Sequence, residues 1–132
     1  MDVVAHYQTT VFPLGALAFL VLIQFAVLDF VMIRSRHTPG TPIEGDHASL
    51  LFRVSRAYAN TNESLPLFLL IILVALIAGM EAETLGTLLW WYCGARLIHM
   101  LAYYGNLKIL RSIGFGLSLT LLVIILVKSF TT

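Results

Sequence analysis

Four long apolar stretches dominate the chain, and shorter polar segments separate them. The stretches cover residues 11–33, 50–80, 84–104 and 107–127. Each is long enough to cross the hydrocarbon core of a bilayer as a helix, which takes about 20 residues. The pattern predicts an all-α membrane protein in which residues 1–132 form a single bundle of four transmembrane helices.

Turn-forming and capping residues support these boundaries. Pro13 suits a first helical turn. Two prolines and two glycines in residues 34–49 are typical of a connecting loop. Either Asp46 or Ser49 would cap the second helix with its side-chain oxygen. The sequence therefore predicts a short polar loop that ends at a capped helix.

A few residues inside the spans predict local features of the bundle. Pro66 cannot donate to the carbonyl of Asn62, so we expect a kink in the second helix. Gly114, Gly116 and Ser118 are small and permit another helix to approach closely. These positions predict where the helices bend and where they touch.

Composition and charge agree with a membrane protein and exclude several other classes. The chain is 59% hydrophobic and 11% charged, whereas soluble domains are about a quarter charged. A net charge of +1 argues against nucleic-acid binding. Cys93 is the only cysteine, so no intrachain disulfide can form. His37 and His47 lie too far apart to suggest ligands, and the sequence predicts no metal site.

Lysine and arginine residues predict the orientation in the membrane. The loops after the first and third helices, with their flanks, carry most of the positive charge: Arg34, Arg36, Arg53, Arg56, Lys108 and Arg111. The opposite side carries Lys128 with Asp2, Glu81 and Glu83. The positive-inside rule places the basic loops in the cytoplasm and both termini outside. The compact chain favours a bacterial inner membrane.

Polar residues form a stripe along the start of the second helix. Arg53, Arg56, Asn60 and Glu63 follow at offsets of 0, 3, 7 and 10. At about 100° per residue these offsets fall within an arc of roughly 80°, so one helix face carries all four. Such a stripe is costly in lipid unless other groups partner it.

A second stripe with the same offsets lies on the third helix, formed by Arg96, His99, Tyr103 and Asn106. The two helices are antiparallel, so Glu63 and Arg96 lie at similar depth from the cytoplasmic side. An arginine at the centre of a membrane helix costs about 2.5–3.5 kcal/mol, and a Glu63–Arg96 ion pair would offset that cost. The alternative is that both stripes only hold the helices together through polar contacts.

The remaining polar residues outline a cationic pocket that opens to the cytoplasm and borders the lipid. Its predicted members share charge or hydrogen-bonding capacity, and they are Arg53, Arg56, Asn60, His99, Tyr103, Arg111 and Ser112. Guanidinium groups bind carboxylates in bidentate geometry. The pocket therefore suits a small, multiply anionic, water-soluble ligand, and the bilayer could supply a second, apolar reactant.

These motifs resemble the MAPEG family, the membrane-associated proteins in eicosanoid and glutathione metabolism. The first motif, Arg-x-x-x-Asn-x-x-Glu-x-x-Pro, is met by Arg56, Asn60, Glu63 and Pro66. The motif of the third helix is met by Arg96, His99 and Tyr103. The family includes microsomal glutathione transferases, leukotriene-forming synthases and microsomal prostaglandin E synthase. The resemblance covers nearly the whole chain.

The resemblance implies a homotrimer that binds glutathione between neighbouring subunits. The residues that match the family's glutathione contacts are Arg56, Asn60, Glu63, His99, Tyr103 and Arg111, with Arg34 from the adjacent subunit. Arg111 would stand near the thiol, and Ser112 would lie beside it. Ala59 and Phe115 depart from the prostaglandin synthase type, which has an arginine and a tyrosine there.

Two functions follow from the resemblance. In the first, the protein is an enzyme that uses glutathione as co-substrate. It either transfers glutathione to lipophilic electrophiles or uses it to reduce lipid hydroperoxides. Arg111 would be the main stabiliser of the thiolate, and Ser112 a secondary one. In the second, the protein binds glutathione or another small anion without catalysis. The expected partners are a second copy of the chain, membrane lipid, glutathione and a lipophilic second substrate.

Overall fold

A computed structural model describes residues 6–131. It contains four long helices: α1 (Gln8–Arg34), α2 (Leu50–Ile77), α3 (Ala82–Tyr104) and α4 (Lys108–Ser129). Residues 1–5 and 132 lie outside the described part, and with them Asp2, which the orientation prediction used. The helix α2 ends before residue 80 because Gly79, with φ of 72°, begins the turn into α3.

The start of α2 settles the choice between two capping residues. The Ser49 hydroxyl oxygen accepts a hydrogen bond from the backbone N–H of Phe52 at 3.4 Å, so Ser49 is the N-cap. Asp46 instead accepts from the N–H of Ala48 at 2.9 Å and stabilises the preceding turn. The helix α2 continues without interruption through Pro66.

The helices α2 and α3 form the centre of the bundle. Each packs against the other three helices, whereas α1 and α4 make little contact with one another. The main core lies between the first half of α1, the second half of α2, the first half of α3 and the end of α4. There the rings of Phe68 and Tyr92 stack with centroids 4.8 Å apart, and Leu85 and Ile125 are fully buried.

The outer surface of the bundle is apolar along most of its length, as a surface in contact with lipid must be. Phe12, Phe19, Ile77 and Ile109, for example, are all well exposed. The helices α1, α2 and α4 are long and apolar enough to cross a membrane. The helix α3 has the length to span, 23 residues or about 34 Å, but it carries the buried polar side chains of Arg96 and His99.

One of the three small residues on α4 marks a close helix contact. A Cβ at Gly114 would lie 3.0 Å from the Cβ and backbone N of His99 on α3. At Gly116 a Cβ would meet nothing within 4 Å, and the Ser118 hydroxyl donates to the carbonyl of Gly114 at 2.7 Å. The backbones of α3 and α4 therefore approach most closely beside His99.

The single cysteine joins α1 to α3. The Cys93 thiol donates to the carbonyl oxygen of Pro13 at 3.1 Å. This side chain is half-buried and lines an apolar cavity of about 350 Å³ between the two helices. Cys93 is thus a packing residue on the side of α3 that faces α1.

Candidate functional site

A polar cleft lies between α2, α3 and α4, toward the end of the bundle that carries the α1–α2 loop. It consists of an outer cavity of about 430 Å³ and an inner cavity of about 310 Å³. Asn60 and Phe115 line both cavities, so the two adjoin. The other residues of the outer cavity are His47, His99, Tyr103, Lys108, Arg111 and Ser112. The inner cavity adds Glu63, Ser64, Leu67, Tyr92, Arg96, Ser118, Leu119 and Leu122.

Arg96 is fully buried and hydrogen-bonds to neutral side chains of α2. Its Nη2 donates to Asn60 Oδ1 at 3.0 Å and to Thr61 Oγ1 at 2.7 Å. Thr61 belongs to neither predicted stripe, and sequence reasoning missed it. Charge-assisted hydrogen bonds of this kind are about twice as strong as neutral ones, so they hold α2 and α3 together.

The predicted Glu63–Arg96 ion pair does not form within the described chain. Glu63 is exposed, although it lines the same inner cavity as Arg96. Arg96 reaches α2 between Asn60 and Thr61, and Glu63 lies roughly 110° around the helix from that direction. Both residues line the inner cavity, but the rotation of α2 separates their side chains.

His99 is a buried side chain with an unused hydrogen-bonding atom. It is 2% exposed, and its Nδ1 has no hydrogen-bond partner among residues 6–131. Its ring lies 5.0 Å from the ring of Tyr103 in an edge-on arrangement, and both line the outer cavity. An unsatisfied buried polar atom costs about 1–3 kcal/mol, so this atom suits a ligand that enters the cleft.

The Arg111 guanidinium is fixed above the outer cavity by two contacts. Its Cζ lies 4.9 Å from the ring centroid of Tyr103, in cation–π geometry. Its Nη1 donates to Nδ1 of His47 in the α1–α2 loop. Because a guanidinium carries five N–H donors, the contact with His47 leaves others to face the cavity.

His47 is a member of the site that sequence reasoning missed, since the sequence suggested only a metal-ligand role and gave no support for one. Desolvation and the Arg111 guanidinium lower its pKa below the ordinary value of 6.5, and Arg53 and Arg56 add to this effect against Asp46. Its position two residues before the N-cap of α2 placed it at the same membrane edge as Arg111. This shared position at the membrane edge was the feature of the sequence that could have indicated a contact between His47 and Arg111.

Arg53 anchors the loop. Its Nη1 donates to the carbonyls of His47 and Ala48, at 2.7 and 3.0 Å, and its Nη2 donates to the carbonyl of Tyr104 at 3.4 Å. Arg53, which was predicted to belong to the pocket, lines neither cavity of the cleft. It ties the end of the loop to the end of α3.

Several other predicted residues lie at the edges of the cleft or outside it. Arg56 is half-buried and lines neither cavity, and Arg34 is exposed at the end of α1. Ser112 lines the outer cavity, but its hydroxyl donates to the carbonyl of Lys108 at 3.5 Å. Asn106 lies beyond the end of α3, with φ of 56°, and so does not continue the stripe.

The cleft combines positive charge, hydrogen-bonding groups and an apolar wall. Arg111 and Lys108 supply the charge of the outer cavity, and Asn60, His99 and Tyr103 supply polar atoms. The inner cavity carries leucines from α2 and α4. Chemically, the arrangement can bind a small anion at its outer end beside an apolar group at its inner end.

The fold defines an integral membrane protein, and a cationic cleft lies between its helices. The profile of the MAPEG family matches residues 10–131, and the chain therefore belongs to the MAPEG family, as its motifs predicted. The family includes glutathione transferases and related enzymes, and membership supports a role in glutathione or eicosanoid metabolism. Among curated proteins, none matches this chain.

Proposed function

We propose that the protein is a glutathione-dependent transferase or peroxidase that acts on lipophilic electrophiles or lipid hydroperoxides. The observation that carries the proposal is the Arg111 guanidinium, held above the outer cavity by Tyr103 and His47. A fixed positive charge at a water-facing cavity favours an anion over its neutral form. A thiol that must act as a thiolate needs such a group.

Glutathione, as co-substrate, would supply the thiol. Its carboxylates suit the cationic groups around the outer cavity, and its peptide groups suit the side chains of Asn60 and Tyr103. The unpartnered Nδ1 of His99 supports this assignment, because a ligand would satisfy it. Arg56 lies just outside the cavity and would complete the binding of a carboxylate.

A homotrimer would complete the site. Two observations support this part of the proposal: Glu63 is an exposed carboxylate beside the cleft, and Arg34 lies outside the cleft of its own chain. A neighbouring subunit could cover Glu63 and bring its own Arg34 to the same glutathione. The basic loops would face the cytoplasm, and a bacterial inner membrane suits the proposal.

Arg111 and the start of α4 would lower the pKa of the thiol. A free thiol has a pKa of about 8.5, and lowering it by two units requires roughly 2.7 kcal/mol of preferential interaction with the anion. The guanidinium supplies charge and hydrogen bonds, and the first turn of a helix adds a favourable partial charge. Ser112 contributes less because its hydroxyl hydrogen already has an acceptor on Lys108.

The second substrate would enter from the bilayer. Leu67, Leu119 and Leu122 form an apolar wall in the inner cavity, and Phe115 separates this wall from the outer cavity. An apolar electrophile that occupied the inner cavity would lie beside a thiolate held at Arg111. This arrangement brings a water-soluble and a lipid-soluble reactant to one place.

The second candidate function is binding of glutathione or another small anion without catalysis. Phe115 favours it, because its ring offers no hydroxyl to a thiolate at the boundary of the two cavities. In this function Arg111 would bind an anionic group of the ligand and would not activate a thiol.

The deciding measurement is the ultraviolet absorbance of bound thiolate across pH, in detergent-solubilised protein mixed with glutathione. We expect a thiol pKa about two units below the free value in the wild type, and a value close to 8.5 in Arg111→Ala. Arg36→Ala removes the same charge from the exposed loop and is the matched control. Saturable binding without a thiolate band near neutral pH would favour the non-catalytic function. Turnover with an aryl halide or a fatty-acid hydroperoxide would distinguish transferase from peroxidase.

A further inference from the structure

We propose that His47 is a positioning residue that holds the Arg111 guanidinium in place over the cleft. The inference rests on the proposed function of the cleft and assigns a role to the α1–α2 loop within it. The contact between Arg111 Nη1 and His47 Nδ1 links a loop residue to the fourth residue of α4. No helix periodicity places the two residues together.

The loop is itself held firmly enough to position another side chain. Arg53 on α2 donates to the carbonyl of His47 and to that of the next residue, and it also bonds to the end of α3. The His47 imidazole packs edge-on against Phe52, with centroids 5.2 Å apart, and lies 6.1 Å from Tyr103. Backbone and ring are therefore both constrained.

The chemistry of the contact fixes the protonation state of His47. A guanidinium only donates hydrogen bonds, so Nδ1 must present a lone pair, and the imidazole must be neutral with its proton on Nε2. A protonated imidazole has no acceptor and would repel Arg111. The contact thus exists only while His47 is neutral.

The charges around His47 favour the neutral form. Arg53 and Arg56 on α2 and Arg111 on α4 face it, Lys108 lines the same cavity, Tyr103 faces it from α3, and Asp46 opposes the cations from the loop. Together with desolvation they lower the pKa of His47 below 6.5. The contact is complete at a pH above the ordinary histidine pKa of 6.5, and it is lost as the pH falls through the lowered pKa of His47.

The first test reads the contact without glutathione. The His47 imidazole is titrated by NMR in detergent-solubilised protein, with its signal assigned by its absence in His47→Gln. We expect a pKa below the ordinary value in the wild type and an upward shift in Arg111→Ala. Arg36→Ala should leave the titration unchanged. A His47 titration that is the same with and without Arg111 would overturn the inference.

The second test measures whether His47 positions Arg111, through the pKa of the bound glutathione thiol. In His47→Ala we expect the thiol pKa of bound glutathione to rise by about one unit, while affinity changes less than about threefold. His47→Gln retains a side-chain oxygen that accepts from Arg111 and should restore most of the shift. His37→Ala is the control, because the imidazole of that loop histidine bonds to Thr41 and does not line the outer cavity.

The two tests separate the inference from the proposed function. A wild-type thiol pKa close to the free value would overturn the proposed function, and the NMR titration would still decide whether His47 holds Arg111. A lowered thiol pKa that is identical in wild type, His47→Ala and His47→Gln would uphold the function and reject the positioning role.

Discussion

The two ends of the bundle differ in whether their buried polar groups have hydrogen-bond partners. At the end away from the α1–α2 loop, the buried hydroxyls of Thr10 and Ser129 donate to nearby backbone carbonyls at 2.7 and 2.8 Å. Toward the loop end, atoms of five side chains are buried without a hydrogen-bond partner among residues 6–131: Gln24, Arg53, Arg96, His99 and Tyr104. Native proteins pair nearly all buried polar atoms, so these unpaired atoms require an explanation.

The difference indicates that the two ends of the bundle, which are separated along the membrane normal, have different roles. The far end is closely packed around Ala75, Leu85 and Ile125 and stabilises the fold. The loop end contains the cleft, where the unpaired atoms of Arg96 and His99 raise the free energy of the ligand-free protein. A ligand that pairs with them recovers part of that cost, which links binding to stability. Substitutions at the two ends should therefore affect different properties.

The largest effect on stability is expected from Leu85→Ala at the far end. Leu85 is fully buried, and truncating such a leucine lowers the free energy of unfolding by about 2–5 kcal/mol. Chemical unfolding in detergent measures this change, and Leu70→Ala, at a position 61% exposed, is the control. Glutathione affinity of the folded variant should stay within about twofold. A large loss of affinity would show that the two ends are not independent.

A smaller effect is expected from Gly114→Ala, where packing and cleft meet. The new methyl group would lie 3.0 Å from the backbone N and Cβ of His99, and overpacking of this kind costs about 1–3 kcal/mol. Because His99 lines the cleft, ligand affinity should fall as well. Gly116→Ala meets no atom within 4 Å and should be neutral or stabilising, by at most about 1 kcal/mol. Equal melting temperatures for the two variants would contradict the close contact.

A smaller effect again is expected from Thr61→Val. This change removes one of the two acceptors of the buried Arg96 and should cost about 1 kcal/mol. Glu63→Gln, at an exposed position, should change stability by less than about 0.5 kcal/mol. A double-mutant cycle with Arg96→Leu should show coupling to Thr61 that exceeds the coupling to Glu63. Stronger coupling of Arg96 to Glu63 than to Thr61 would instead indicate that the Glu63–Arg96 ion pair forms in the assembled protein.

The spans of the helices could be predicted because lipid imposes a length and an apolar surface on each. Three of the four described helices meet that test directly, and α3 follows from its place between the others. Asn60, His99, Tyr103 and Arg111 were predicted to share a pocket, and all four line the outer cavity. Helix periodicity and matched depth in the membrane were sufficient to predict that these side chains share a cavity.

The remaining features depend on information finer than helix periodicity. The choice of Thr61 over Glu63 as the partner of Arg96 depends on a rotation of α2 that an 80° stripe does not define. His47 lies in an irregular loop, and its contact with Arg111 depends on how Arg53 folds that loop back. Irregular backbone has no period from which to infer neighbours.

The position of Cys93 has a consequence for the redox chemistry of the cleft. The only sulfhydryl in this sequence points at the carbonyl of Pro13 and lines neither of the two cavities of the cleft. Under the proposed function, reduced and oxidised glutathione bound in the cleft would meet no cysteine of the same chain, so no mixed disulfide with that chain's own thiol would form there. Within one chain, thiol exchange at the cleft would then involve only the bound small molecules.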